Sequence, residues 1–159
     1  MTINDSKTRP MMEVAREGIF SSLQFKIDGS MILDLYAGSG SMGIEALSRG
    51  ARYTTFVELS DKCASIIKKN LKNFESNFNI QQISADKYIS NAFDKFNIIF
   101  YDPPFNFEDS KVSKELLELE NLLEVNGTIV CHRHIKSETI ISSKKLELYK
   151  EKLYGQSRI

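Results

Sequence analysis

Residues 31–43 read MILDLYAGSGSMG. An apolar run of strand length stops at a patch of glycine and serine, and the pattern then lengthens to a helical one over about 42–48, closed by Gly50. Strand, glycine turn and helix in that order form the opening unit of an α/β sheet. The alternation continues downstream. YTTFVEL (53–59) is β-branched and aromatic, and Ser60-Asp61 caps a helix whose Cys63, Ile67, Leu71 and Phe74 share one face. IQQIS (80–84) predicts a third strand, FNIIFYD (96–102) a fourth and TIVCHRH (128–134) a fifth. Residues 111–124 predict a helix with Val112, Leu116, Leu119 and Leu123 inward, glutamates outward and Asn126-Gly127 at its end. Upstream, Met12, Ala15, Ile19 and Leu23 keep helical spacing after the entry signal Arg9-Pro10. The tail LELYKEKLYGQSRI predicts one or two closing strands turning at Gly155. The expectation is a doubly wound, mostly parallel sheet with helices on both faces, as one domain over 1–159 with 1–25 as a helical lead-in.

Composition narrows the function classes. The 159 residues suffice for one substantial core, and 42% hydrophobic with 26% charged residues is ordinary for a globular protein. Formal net charge is zero, so the general basicity of many nucleic-acid binders is missing, although a local patch would not show in a sum. The first ten residues lack an apolar signal core, and no run is long enough to span a bilayer. Cys63 and Cys131 read as reduced core thiols. Strand alternation sets Cys131 and its neighbours His132 and His134 on opposite faces, a poor cage for a metal.

In doubly wound sheets, ligands sit beyond the carboxyl ends of the strands. Four such ends carry acids here: Asp34 in the first strand, then Glu58, Asp86 and Asp102. The loop Gly38-Ser39-Gly40-Ser41-Met42-Gly43 fits G-x-G-x-x-G, and Glu58 lies where a ribose-binding acid is expected, so NAD or FAD is one reading. Asp34 argues for another. A carboxylate beside a pyrophosphate repels it, whereas the ammonium and sulfonium of S-adenosyl-L-methionine (SAM) attract one. Asp34-Leu35-Tyr36-Ala37-Gly38-Ser39-Gly40 has the D-x-x-x-G-x-G form of the first motif of class I SAM-dependent methyltransferases. Asp86 either accepts from the exocyclic amine of adenine or caps the helix that follows it.

Asp102-Pro103-Pro104-Phe105 closes the fourth strand, next to the first in the usual order of this fold. The prolines fix φ and leave carbonyls on a stiff backbone that can face a ligand. A carboxylate and a carbonyl accepting from an aromatic NH2 group pull its lone pair out of the ring and aim it at an electrophile. Phe105 offers a face for stacking a base.

DPPF resembles the [DNS]PP[YFW] signature of methyltransferases acting on planar amino groups. With Arg9-Pro10, Arg16-Glu17, Phe20, LDLYAGSGSMGIEALSRGA, Val57-Glu58, KKNL and YDPPF, nearly the whole chain resembles the RsmD family. Its members are bacterial methyltransferases of guanine N2 in 16S ribosomal RNA. The resemblance implies that Asp34, Tyr36, Gly38, Ser39, Gly40, Glu58 and Asp86 bind SAM, and that Asp102, Pro103, Pro104 and Phe105 hold the target base. It further implies a cytoplasmic monomer whose partner is ribosomal RNA, naked or in an assembling small subunit. Arg9 and Arg16, with Lys7, are the candidate phosphate contacts, or else solvated surface charges; Glu45 reads as structural. The end of the fifth strand, where relatives often carry glutamate, reads Cys131-His132-Arg133-His134. The alternatives are a DNA adenine-N6 methyltransferase, a SAM- or RNA-binding relative without turnover, and an NAD-dependent oxidoreductase.

Overall fold

The computed structural model describes residues 8–138 and 143–159. MILDL becomes β1 (Met31–Leu35), which has two parallel neighbours, β2 (Tyr53–Val57) and β4 (Phe96–Tyr101). β3 (Phe78–Gln81) lies outside β2 and β5 (Leu123–Cys131) outside β4, giving one five-stranded parallel sheet in the order β3-β2-β1-β4-β5. The order reverses between β1 and β4, so their carboxyl ends flank the crevice where this architecture binds ligands.

Strands buried on both sides must be apolar at successive positions. β4 shows this. Phe96, Ile99 and Tyr101 enter one core with α4 (Ala85–Asn91) and α5 (Asp109–Glu120), packing on Tyr88, Ile89, Val112, Leu116 and Leu119. Ile98 and Phe100 enter the other core, against α1 (Thr8–Leu23), α2 (Ser41–Ser48) and α3 (Asp61–Asn70), with Phe20, Leu23, Ala46 and Ile67. None of the described helices is long and apolar enough to cross a membrane.

Four local expectations are corrected. The third strand lies two residues earlier than IQQIS, because Phe78 and Asn79 pair with Thr54 and Thr55 of β2. The helix expected over 111–124 runs from Asp109 to Glu120, and Leu123 is already in β5, opposite Phe96. Asn126-Gly127 therefore ends no helix. It forms a bulge between the Phe96–Leu123 and Ile98–Thr128 pairs, with Asn126 left-handed at φ 62°. TIVCHRH is not one strand. β5 stops at Cys131, and β6 (Arg133–His134) joins a small antiparallel sheet with β7 (Leu153–Tyr154) and β8 (Ser157–Arg158), in the order β6-β8-β7. The break removes the regular alternation on which Cys131 and the histidines were set on opposite faces.

The small sheet also accounts for a glycine inside α1. A Cβ on Gly18 would stand 2.1 Å from the Tyr154 hydroxyl, so the β7 tyrosine seats against bare backbone. Nearby, the Lys150 ammonium donates to Ser22 Oγ at 2.9 Å.

Candidate active site

Three of the four strand-end acids converge. Leu35 is level with Val57 on one side and Tyr101 on the other, which sets Glu58 and Asp102 at adjoining strand ends above Asp34. Asp34 is 3% exposed, and its Oδ2 accepts from the Gly43 N–H at 2.9 Å, within the first turn of α2. Burial pushes its carboxyl up to about 7; the Gly43 N–H pulls the other way, and the charges of Asp102 and Glu58 add to the rise. Glu58 is held by two main-chain donors, Gly38 to Oε2 and Ser60 to Oε1, each at 2.7 Å. A carboxylate oxygen has more than one acceptor direction, so these bonds orient Glu58 without exhausting it.

The loop glycines serve different needs. A Cβ on Gly43 would come within 2.3 Å of the Phe56 ring, so this position lets α2 lie close on β2. Gly38, at φ 56°, has nothing within 4 Å of a Cβ position, leaving its backbone open to approach. Ser39 is exposed, and its carbonyl accepts from Asn70 Nδ2 at 3.4 Å; Gly40 is left-handed at φ 77°.

Asp86 lies in the first turn of α4, but Ser84 is the cap, accepting from the Lys87 N–H at 3.3 Å. The carboxylate is 66% exposed and 3.6 Å from the Lys111 ammonium. Tyr36 is left-handed at φ 63°, and its hydroxyl donates to Glu115, 2.9 Å from Oε1 and 3.0 Å from Oε2. Tyr101 reaches Glu115 Oε2 at 2.6 Å. Burial first, and then the Glu115 carboxylate, holds both phenols protonated well above the ordinary tyrosine range. Glu115 corrects the expectation that the glutamates of this helix face outward: it is 2% exposed. Two phenols over the sheet need an acceptor, and a helical pattern shows only that Glu115 is charged. Lys111, 3.7 Å from Glu115 and 4.0 Å from the centre of the Phe107 ring, ties this cluster to Asp86.

At the proline turn, the Asp102 side chain is half exposed, Pro103 is buried and Phe105 is 45% exposed. The expectation that the proline carbonyls face a ligand is corrected for Pro104. Its carbonyl accepts from the Phe107 N–H at 3.0 Å and from Arg133 Nη1 at 3.2 Å. Arg133, 4% exposed, also donates through Nη2 to the Phe107 carbonyl at 2.8 Å and to Asp109 Oδ1 at 3.2 Å, clamping the segment that follows DPPF. His132 stands beside Asp102, with Nδ1 2.9 Å from Oδ1, while its Nε2 lies 2.8 Å from Ser157 Oγ. The Phe105 ring makes T-shaped contacts with His132 and His134, at centroid distances of 5.0 and 5.7 Å.

Sequence reasoning missed His132, Arg133, Ser157 and Glu115 as parts of this site. The one available signal was CHRH at the end of the strand beside the DPPF strand. Cys131 takes no such part: burial pushes its thiol up to about 12, although Arg133 lowers it.

The phosphate-contact candidates are Arg9, Arg16 and Lys7. Arg16 is half-buried on α1, while Lys7 and the side chain of Arg9 lie outside the described residues. Glu45 pairs with Arg49 one helical turn on, at 2.7 Å, as a structural residue would. A cavity of about 800 Å³ opens elsewhere, between α1, β5 and the C-terminal segment, and none of the strand-end acids lines it.

The family described as Conserved hypothetical protein 95 matches residues 1–159. Ribosomal RNA small subunit methyltransferase D of Haemophilus influenzae is 36% identical over 159 residues, covering 96% of this chain and 81% of that protein. The protein of the same name from Buchnera aphidicola is 34% identical over 156 residues, with 96% and 81% covered. The solved structure of yhhF from Escherichia coli superposes with a TM-score of 0.83 at 28% identity, over 90% of this chain and 80% of that one.

Proposed function

This chain belongs to the RsmD family and is a ribosomal RNA methyltransferase; we propose that it methylates the exocyclic N2 amine of a guanine in small-subunit ribosomal RNA, with SAM as donor. The observation that carries the proposal is Asp102, fixed on a proline-stiffened turn at the switch point of the sheet and held half exposed beside Asp34 and Glu58.

The residues present suit SAM. Asp34 and Glu58 offer carboxylate oxygens to ammonium and ribose hydroxyl donors, and the open backbone at Gly38 admits a ligand closely. Tyr36, Ser39, Gly40 and Asp86 complete the proposed pocket, Asp86 by accepting from the adenine amine. When bound, SAM supplies an electrophilic methyl: the N–C bond forms as the C–S bond breaks, and the bonding electrons remain on sulfur. Asp102 accepts an N–H of the guanine amine, draws its lone pair from the ring and takes the proton released as nitrogen becomes positive. Phe105 stacks on the base, and Pro103 and Pro104 keep Asp102 from swinging away. With the Pro104 carbonyl committed to Phe107 and Arg133, the acceptors left to this wall are Asp102 and the Pro103 carbonyl.

Tritium transfer from labelled SAM to small-subunit particles, naked 16S RNA and DNA tests the proposal, followed by mass identification of the methylated nucleoside. N2-methylguanosine is the expected product. Label in N6-methyladenine of DNA, or SAM binding without transfer to any acceptor, would overturn it.

A further inference from the structure

His132 bridges two groups, one on either side of its ring, and neither the glycine loop nor DPPF accounts for it. Its main-chain N–H donates to the Tyr101 carbonyl at 3.0 Å, which fixes it at the end of β4 next to Asp102. The side chain is 12% exposed, against 50% for Asp102. An ionised carboxylate only accepts, so the hydrogen between Nδ1 and Asp102 Oδ1 belongs to the imidazole. Ser157 Oγ both donates and accepts, so it matches Nε2 in either charge state of the ring. The Phe105 ring packs on the imidazole at an interplanar angle of 79°, so one histidine braces both the carboxylate and the aromatic wall of the turn.

We propose that His132 is a positioning residue for methyl transfer: its Nδ1–H holds Asp102 Oδ1, leaving Oδ2 to accept from the target amine, and Ser157 of β8 fixes the ring. The linkage has the connectivity of a hydrolytic triad, but Ser157 is 9% exposed and serves as the anchor, so the reactive end is the carboxylate. Freed of His132, a half-exposed Asp102 samples other rotamers and loses its hold on the amine, while the pocket at Asp34 and Glu58 is untouched. The inference rests on the proposed amine methylation.

The test compares His132→Ala, His132→Asn and His132→Gln in RNA methylation, with SAM affinity by calorimetry and melting followed alongside. The Asn amide ends where Nδ1 stands and can still donate to Asp102; the Gln amide ends where Nε2 stands and keeps only the Ser157 side. The Ala variant is expected to lose roughly 10- to 100-fold in kcat, the size that orienting partners carry at other sites, with SAM affinity unchanged. Asn restores most of the turnover and Gln does not. Wild-type kcat in the Ala variant, or Gln equal to or better than Asn, overturns the role. If Ala melts early, the ranking of Asn over Gln alone decides. A wild-type protein that binds SAM but methylates no RNA overturns the functional reading, and this role with it; equal turnover in wild type and His132→Ala overturns the role alone.

Discussion

At the glycine loop, the acids are held by main-chain N–H groups: Gly43 on Asp34, and Gly38 and Ser60 on Glu58. At the proline turn, the hold comes from side chains: His132 on Asp102, Ser157 on His132, and Arg133 on the carbonyls of Pro104 and Phe107. Main-chain donors belong to the fold and survive almost any substitution that leaves the backbone in place. Side-chain donors are lost one residue at a time. The first region is therefore built to bind robustly, and the second is where single changes separate binding from turnover.

The largest expected effect breaks the two regions apart. Asp102→Ala should lower methyl transfer by about 100-fold or more while SAM affinity by calorimetry, taken at about pH 8.5 where Asp34 is ionised in both proteins, stays at the wild-type value. A parallel fall in both would mean that the regions work as one. Next is the clamp. Arg133→Ala removes a buried guanidinium from the part-buried Phe107 carbonyl and from Asp109 and leaves the Pro104 carbonyl only the Phe107 N–H, and denaturant unfolding should show a loss of about 2–3 kcal/mol, with turnover falling as the segment after DPPF loosens.

The third prediction turns on the cost of keeping a charge at the loop. The Asp34 carboxyl is raised in the folded protein from an ordinary 3.8 to about 7. The folded state thus holds a proton that the unfolded chain releases. The associated stability is complete below about pH 4 and is lost as pH rises through about 7. Asp34→Asn keeps an acceptor for Gly43 and removes that titration, so thermal melts should show it more stable than wild type at pH 8, by about 4 kcal/mol, and level with it at pH 4. Its SAM affinity should fall roughly tenfold, because a cationic ligand selects the ionised acid. For the same reason, wild-type affinity should climb between about pH 6 and pH 8.

The contrast also explains what the sequence could disclose. Asp34, the glycines and Glu58 act through backbone a few residues away or one crossover on, and those short spacings leave a pattern. The strand alternation and both apolar cores were legible for the same reason. Asp102 was legible through its prolines. His132, Ser157, Arg133 and Glu115 act on partners brought near only by the closed sheet: Tyr36 meets Glu115 across 79 positions. No local period marks such a meeting. Asn126-Gly127 misled because a left-handed Asn followed by Gly suits both a helix stop and a bulge, and pairing with β4 decides between them.

The smallest predicted effect lies at Gly18. Alanine there gains about 1 kcal/mol of helix propensity but meets the Tyr154 hydroxyl, and overpacking of that kind costs more, so Gly18→Ala should lower stability by about 1 kcal/mol. Added to Tyr154→Phe, which removes the obstructing oxygen and leaves a ring carbon at 3.1 Å, the same change should cost less than it does alone, as parallel denaturation curves would show.

That contact sets a timetable for the growing chain. Gly18 is made long before Tyr154, and Ser22 long before the Lys150 that reaches it. During synthesis, α1 can dock on the emerging strands, but its notch stays open until the β7–β8 hairpin has emerged. Closing so long a loop carries a large entropic cost and comes late. An enzyme that methylates ribosomal RNA thus fills the notch in its α1 only after the β7–β8 hairpin has itself emerged from a ribosome.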